Sequence, residues 1–178
     1  MPVGAGGVSG SGDVEVGAAG TYNWVATYSG DLANLPVSSE CGSEPVVITP
    51  RPDCANATAS PNLLWPPNHE FVSIQISGIV NPAPGAVTIS VTSIFQDESV
   101  QSSGSGNTSP DATGVGTGGP SVRAERDSGN GGRVYHIAFT ATGASGSCTG
   151  AVTVGVPKSQ GNNGGPVDQG ALYNSTLP

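Results

Sequence analysis

The chain is short of positive charge. Lysine and arginine together number 5 against 13 acidic residues, for a formal net charge of −8 over 178 residues. Nucleic acid and anionic membrane surfaces are read by clustered Lys and Arg, so neither is an expected partner. Long apolar runs are also missing. No stretch reaches the roughly 18 apolar residues of a spanning helix, and no basic segment leads into an apolar one as in a signal peptide. Membrane insertion is not expected. A signal peptide is expected upstream, because "MPVGAGG" does not read as the natural start of a folded domain. Only two histidines occur, His69 and His136, and no GxSxG elbow accompanies them, which leaves a hydrolytic triad little to draw on. No glycine-rich run lies between a strand and a helix, so a phosphate cradle has no basis. An enzyme is not expected. No window keeps a 3.6-residue apolar period over three turns, and helix is not expected either.

Punctuation, by contrast, is abundant. The 28 glycines and 15 prolines separate short Val/Ile/Thr runs, the pattern of an all-β chain with many turns. Hydrophobic residues make up 35% of the chain, enough for one modest core but not two.

The texture changes near residue 50, at "ITPRPDCAN". Upstream, "TYNWVATYSGD" places Tyr22, Trp24, Ala26 and Tyr28 on one face of a strand, and "EPVVIT" is a last short strand. About three strands cannot close a sandwich, which takes about seven. Residues 1–50 therefore read as an incomplete half-domain. Its aromatic strand is expected to pair with something: the second domain, another chain, or strands that the half-domain lacks.

Downstream, "FVSIQIS" turns Val72, Ile74 and Ile76 inward, and "AVTISVTSIF" does so with Val87, Ile89 and Val91. "RVYHIAFTATG" puts Tyr135, Ile137, Phe139 and Ala141 on one face, and "AVTVGV" closes with Val152, Val154 and Val156. With short strands at "CANATAS" and "SVRAER", residues 51–157 have the size and rhythm of an immunoglobulin-like β-sandwich. Residues 158–178 form a Gly/Asn-rich flexible tail. Disorder is expected up to about Pro166, with Leu172 and Tyr173 free to dock or to extend a sheet edge.

Three cysteines, Cys41, Cys54 and Cys148, fit neither a zinc ribbon nor a redox CxxC. Cys54 precedes the first clear strand of the larger region and Cys148 the last. A Cys54–Cys148 bridge would clamp one domain end to end, stabilise it by roughly 4–5 kcal/mol in the chain-entropy model, and imply an extracellular or surface location. The alternative is three buried free thiols in a cytosolic protein.

"LLWPPNHEF" raises the question of a site at His69 and Glu70. Pro66 and Pro67 enforce extended geometry, Asn68 is a turn residue, and His69 and Glu70 then start a strand pointing to opposite faces. Adjacent strand residues do not ligate one ion without a bulge, so the stretch reads as a strand start with Trp65 capping the fold.

The acidic loop residues Asp97, Glu98, Asp111, Glu125 and Asp127 offer the oxygens that calcium takes, six to eight of them. Their alternative role is as solvated loop charges, some paired with Arg123, Arg126 or Arg133.

Three resemblances bear on these readings. "AGTYNWVATYSGDLANLPVSSECGSEPVVIT" resembles the C-terminal half of a bacterial immunoglobulin-like repeat over about residues 14 to 49. That likeness implies a tandem, secreted or surface-exposed parent protein, and a Cys41 whose partner lies in the other half of the repeat. "RAER…GRVYHIAFTATGASG…TGAVTVGV" is similar in layout to calcium-binding cadherin-type repeats, which implies Glu125 and Asp97 or Glu98 as ligands. It departs from them at Thr142 and Gly143, where those repeats carry an aspartate. "ASPNLLWPPNHEFV", "SIFQDE", "VRAER", "GNGGRVYHIAFTA" and "VDQGALYNST" resemble C-terminal modules of bacterial extracellular multidomain proteins, from about Cys54 to Thr176.

The combined expectation is a non-enzymatic extracellular structural or adhesive module, secreted or at the cell surface, with calcium as its candidate ion. Neighbouring immunoglobulin-like repeats or surface proteins are the expected partners. The rival is a carbohydrate-binding module that stacks sugar rings on Trp65; Tyr135, in the inward row, is read as core.

Overall fold

The computed structural model describes residues 12–16, 18–101, 104, 108–129, 131–159 and 165–178. These residues form thirteen strands and no helix. The chain divides into two compact units, Met1–Pro50 and Arg51–Pro178.

The first unit contains β1 (Gly20–Asn23), β2 (Thr27–Tyr28), β3 (Val37–Ser38) and β4 (Pro45–Ile48). β1 pairs with β4 and β2 with β3, both antiparallel. The expected continuous strand from Tyr22 to Tyr28 breaks after Asn23. The turn after β2 is built on Asp31, whose carboxylate accepts the N–H groups of Ala33 and Asn34 and the hydroxyl of Tyr28. That hydroxyl, with the two amides, holds the Asp31 carboxyl down at about 2. Gly30 sits at φ +82, where a Cβ would lie 2.9 Å from the Asn34 carbonyl, so the turn needs glycine. None of the unit's described residues is buried. Trp24, Val25, Leu32, Leu35, Val37, Val46 and Val47 are all exposed, and Cys41 is a free, exposed thiol.

The second unit contains β5 (Thr58–Ser60), β6 (Phe71–Ser73), β7 (Gln75–Ser77), β8 (Thr88–Gln96), β9 (Ala112–Thr113), β10 (Ser121–Arg123), β11 (Gly132–Gly143), β12 (Gly146–Pro157) and β13 (Tyr173–Asn174). They make a four-stranded sheet in the order β12-β11-β8-β13, a three-stranded sheet β6-β10-β9, and the pair β5-β7. Period-two alternation fills the core. Tyr135, Ile137, Phe139 and Ala141 of β11 meet Val152, Val154 and Val156 of β12 and Val91 and Ile94 of β8. The other sheets add Ile74, Ile76, Ala112 and Val122. Each such aliphatic side chain contributes about 1.5–3 kcal/mol of burial.

The β8–β11 ladder is interrupted at one place. The β8–β11 register shifts between Ala138 and Phe139, which pair with Ser93 and Val91. Thr92 is thus the extra residue of a bulge, and beyond it the inward row becomes Ile94 and Gln96. The bulge aims a glutamine into one end of the core.

Cys54 and Cys148 form a disulfide across a sequence separation of 94. Gly150 makes room for it, because a Cβ there would lie 2.7 Å from the Phe139 ring and 3.1 Å from Cys54 Cβ.

Within the segment expected to be a flexible tail, residues 160–164 lie outside the described residues. The remainder extends a sheet edge. Tyr173 and Asn174 pair with Gln96 and Phe95, and the carbonyl of fully buried Ser175 accepts the amides of Asp111 and Ala112. Main-chain hydrogen bonding secures this strand, since Leu172 and Tyr173 stay exposed.

Candidate functional site

Four chain segments deliver polar side chains to one end of the second unit. β8 ends at Gln96 and runs on into Asp97 and Glu98. Asp111 precedes β9, Arg123 and Glu125 stand at and just beyond the end of β10, and Arg133 follows the first residue of β11. Arg133 shares the inward face of β11 with Tyr135, and its side chain is completely buried.

Three of the five carboxylates expected to gather round calcium gather round this guanidinium. Arg133 Nη1 donates to Asp111 Oδ2 at 2.7 Å and to the Tyr135 hydroxyl at 3.1 Å. Its Nε donates to Glu98 Oε2 at 3.2 Å, and Nη2 lies 4.0 Å from Glu125 Oε1. Gln96 Nε2 donates to Asp111 Oδ2 and to the Glu98 carbonyl, locking the two acidic loops together. The Tyr135 hydroxyl donates in turn to the Arg123 carbonyl. Arg123 closes the rim. Its Nη groups donate to the His69 and Pro110 carbonyls, its Nε lies 3.6 Å from Asp111 Oδ1, and its plane covers the Phe71 ring at 4.3 Å.

The other two carboxylates serve the backbone. Asp97 Oδ1 accepts the Val134 amide and Oδ2 the Gln169 amide, so it joins β11 to the C-terminal segment. Asp127 sits beside the cluster: its amide donates to Glu98 Oε2 and its side chain accepts the Gly129 amide.

Asp111 Oδ2 and Glu98 Oε2 already accept charged hydrogen bonds from Arg133, and among the described residues no group of three or more His, Cys, Asp or Glu is arranged to hold a metal ion. Of the residues expected to ligate calcium, Glu98, Asp111 and Glu125 face the Arg133 guanidinium, and Asp97 and Asp127 accept backbone amides. Alternation along β11 carries this cation into the place between the loops. The alternative, solvated charges paired with Arg123, Arg126 or Arg133, differs in that the Arg133 pairs are buried.

Burial works against the negative charges. It pushes the carboxyls of Glu98 and Asp111 up, with Arg133 pulling both back. Burial also pulls Arg133 down, but Tyr135, Asp111 and Glu98 more than offset it and leave the guanidinium raised. The Tyr135 phenol is pushed up by burial, so it stays a neutral donor.

His69 joins the cluster from outside. It is the one described non-glycine residue in the left-handed region, at φ 64, and this turns its ring toward Glu125, with Nδ1 2.9 Å from Oε2. Glu70 is exposed and begins the run into β6. His69 and Glu70 thus part company, and His69 meets an acid 56 residues away that its neighbours in sequence gave no sign of. Thr108 donates its hydroxyl to the same Glu125 oxygen. A hydrolytic relay places the histidine between hydroxyl and acid; here the carboxylate lies between hydroxyl and histidine.

His136 bonds Asp168 through Nε2 at 2.9 Å, another tie to the C-terminal segment. Trp65 is 41% exposed rather than packed as a cap. Two shallow pockets of about 310 and 290 Å³ lie beside His69 and beside Leu63; Trp65 lines neither.

Gln96, Tyr135 and His69 are cluster members that sequence reasoning did not assign. For Gln96 the signal is hidden by the Thr92 bulge. For Arg133 the signal was present, two residues before Tyr135 in the inward row. Compared with known proteins, the chain matches no family model, no curated protein and no solved structure. The fold and cluster define an all-β chain with a disulfide and a buried ionic centre that ties loops together.

Proposed function

We propose that the chain is a non-enzymatic structural or adhesive module of a bacterial protein exposed outside the cell. In this reading Arg51–Pro178 is an immunoglobulin-like β-sandwich, and Met1–Pro50 is an immunoglobulin-like half that takes its missing core from neighbouring strands. The observation that carries the reading is the Cys54–Cys148 disulfide, a bond that persists in oxidising compartments and is rare in the cytosol. Two further features support a load-bearing role. The bond closes most of the second unit into a loop, and the acidic loops that could have served a ligand are spent on Arg133. The exposed apolar strands of the first unit support pairing with an adjoining repeat or a surface protein.

The test is surface labelling of intact cells that carry the protein. Retrieval of labelled chain in which only Cys41 reacts with a thiol reagent supports the reading. Retrieval solely from the cytosol, with all three thiols reactive, sinks it.

One observation favours the carbohydrate alternative: the half-exposed Trp65. Glycan-array binding that Trp65→Ala abolishes would establish it; an array without signal removes it.

A further inference from the structure

β12 is the open edge of the four-stranded sheet. Its even-numbered residues exchange hydrogen bonds with β11. Gly155 faces the other way, giving its N–H to Asn62 and accepting from Leu64. Because β12 and β11 stay in unbroken register, alternation turns the N–H and C=O groups of Ser147, Thr149, Ala151 and Thr153 outward too. Among the described residues none of these groups has a partner beyond the sheet. All four residues are exposed.

Such an edge is normally blunted by lysine, proline, a bulge or shortness. β12 has none of these between Ser147 and Thr153. It is twelve residues long, and the other end of the same sheet, β13, has only two. The edge is also held stiff from below, where Cys148 is bonded to Cys54 and Gly150 rests on Phe139.

We infer that this edge pairs with β12 of a second copy of the chain, antiparallel about a twofold axis at Ala151. The sequence is self-complementary there. Thr149 falls opposite the second copy's Thr153, Ala151 opposite its counterpart, and the reverse pair repeats the first. All three are positions with outward backbone groups, so each pair exchanges two hydrogen bonds. The exposed face gains Thr–Thr pairs, which are favourable across strands. The window carries no charge, so two chains of net charge −8 meet where neither repels the other. Pairing stops at Ser147, because the opposing Gly155 is already engaged. The product is one sheet running through both copies. This inference does not depend on the extracellular reading.

The test is sedimentation equilibrium of the full chain, with Cys41→Ser to remove thiol-linked dimers, up to millimolar concentration. A concentration-dependent dimer is expected, and Ala151→Pro should return the monomer mass. The proline removes an N–H that bonds nothing within the sheet, and an edge strand tolerates proline there, so the monomer should stay folded, checked by its melt. A second set does not rely on that variant folding. Thr149→Lys with Thr153→Lys brings like charges together and should give monomers, as should Thr149→Glu with Thr153→Glu. Mixing the two should restore a dimer. A chain that stays monomeric throughout, or a dimer indifferent to all these changes, overturns the inference.

Discussion

Arg133 Nη1 and Asp111 Oδ2 stand 2.7 Å apart with both side chains fully buried. A charge pair removed from water costs desolvation on both sides and returns it only through close geometry and additional hydrogen bonds. Here Gln96 and Tyr135 supply them, and Glu98 and Glu125 share the same cation. Three loops are thereby fixed to the start of β11.

The pH dependence follows from burial. The carboxyls of Glu98 and Asp111 are raised, so the folded chain binds these protons more tightly than the unfolded chain does. Their stabilising contribution is full below the ordinary values of 4.5 and 3.8, and it is lost as pH rises through the raised ones. Urea midpoints of the second unit should fall from just above those values toward neutrality, and Glu98→Gln should flatten the slope. A midpoint that climbs across that window contradicts this.

Reduction of the disulfide has a size that can be checked. Opening a loop of 94 residues should lower unfolding stability by roughly 4–5 kcal/mol in the chain-entropy model. The comparison is denaturant unfolding of the Cys41→Ser chain with and without reductant.

Calcium should do nothing to the melt. Ligand binding to the native state raises stability by mass action, and the carboxylates concerned already serve Arg133 and the backbone. Thermal melts in millimolar calcium and in excess chelator should superpose. A large calcium-dependent rise would restore the ion to the account.

The C-terminal strand is held through its main chain. Deleting residues 171–178 strips the Asp111 and Ala112 amides of the Ser175 carbonyl. The expected loss is about 1–3 kcal/mol for each buried group left unpaired. Faster hydrogen exchange at Ala112 in the truncated chain would locate the loss.

Much of the architecture was legible because it rests on period two. Tyr135 to Ala141 and Val152 to Val156 alternate cleanly and are the core rows. The disulfide was legible because Cys54 precedes the first clear strand of the larger region and Cys148 the last alternating run. The bulge at Thr92 was not, since an inserted residue leaves the composition of a strand unchanged while reversing its faces. The His69–Glu125 contact was equally hidden: it depends on a left-handed backbone at a residue that seldom adopts one. The acidic loops were legible as a cluster of oxygens, whereas the buried Arg133 between them was not, because a charged residue at the start of a strand reads as solvated.

The most direct measurement is the urea unfolding of Arg133→Met, alone and combined with Glu98→Gln and Asp111→Asn. If the cluster is a structural tie, the single change costs about 3–5 kcal/mol by stranding buried carboxylates, and neutralising them recovers most of it. An Arg133→Met chain that unfolds at the same midpoint as the wild type would contradict that claim.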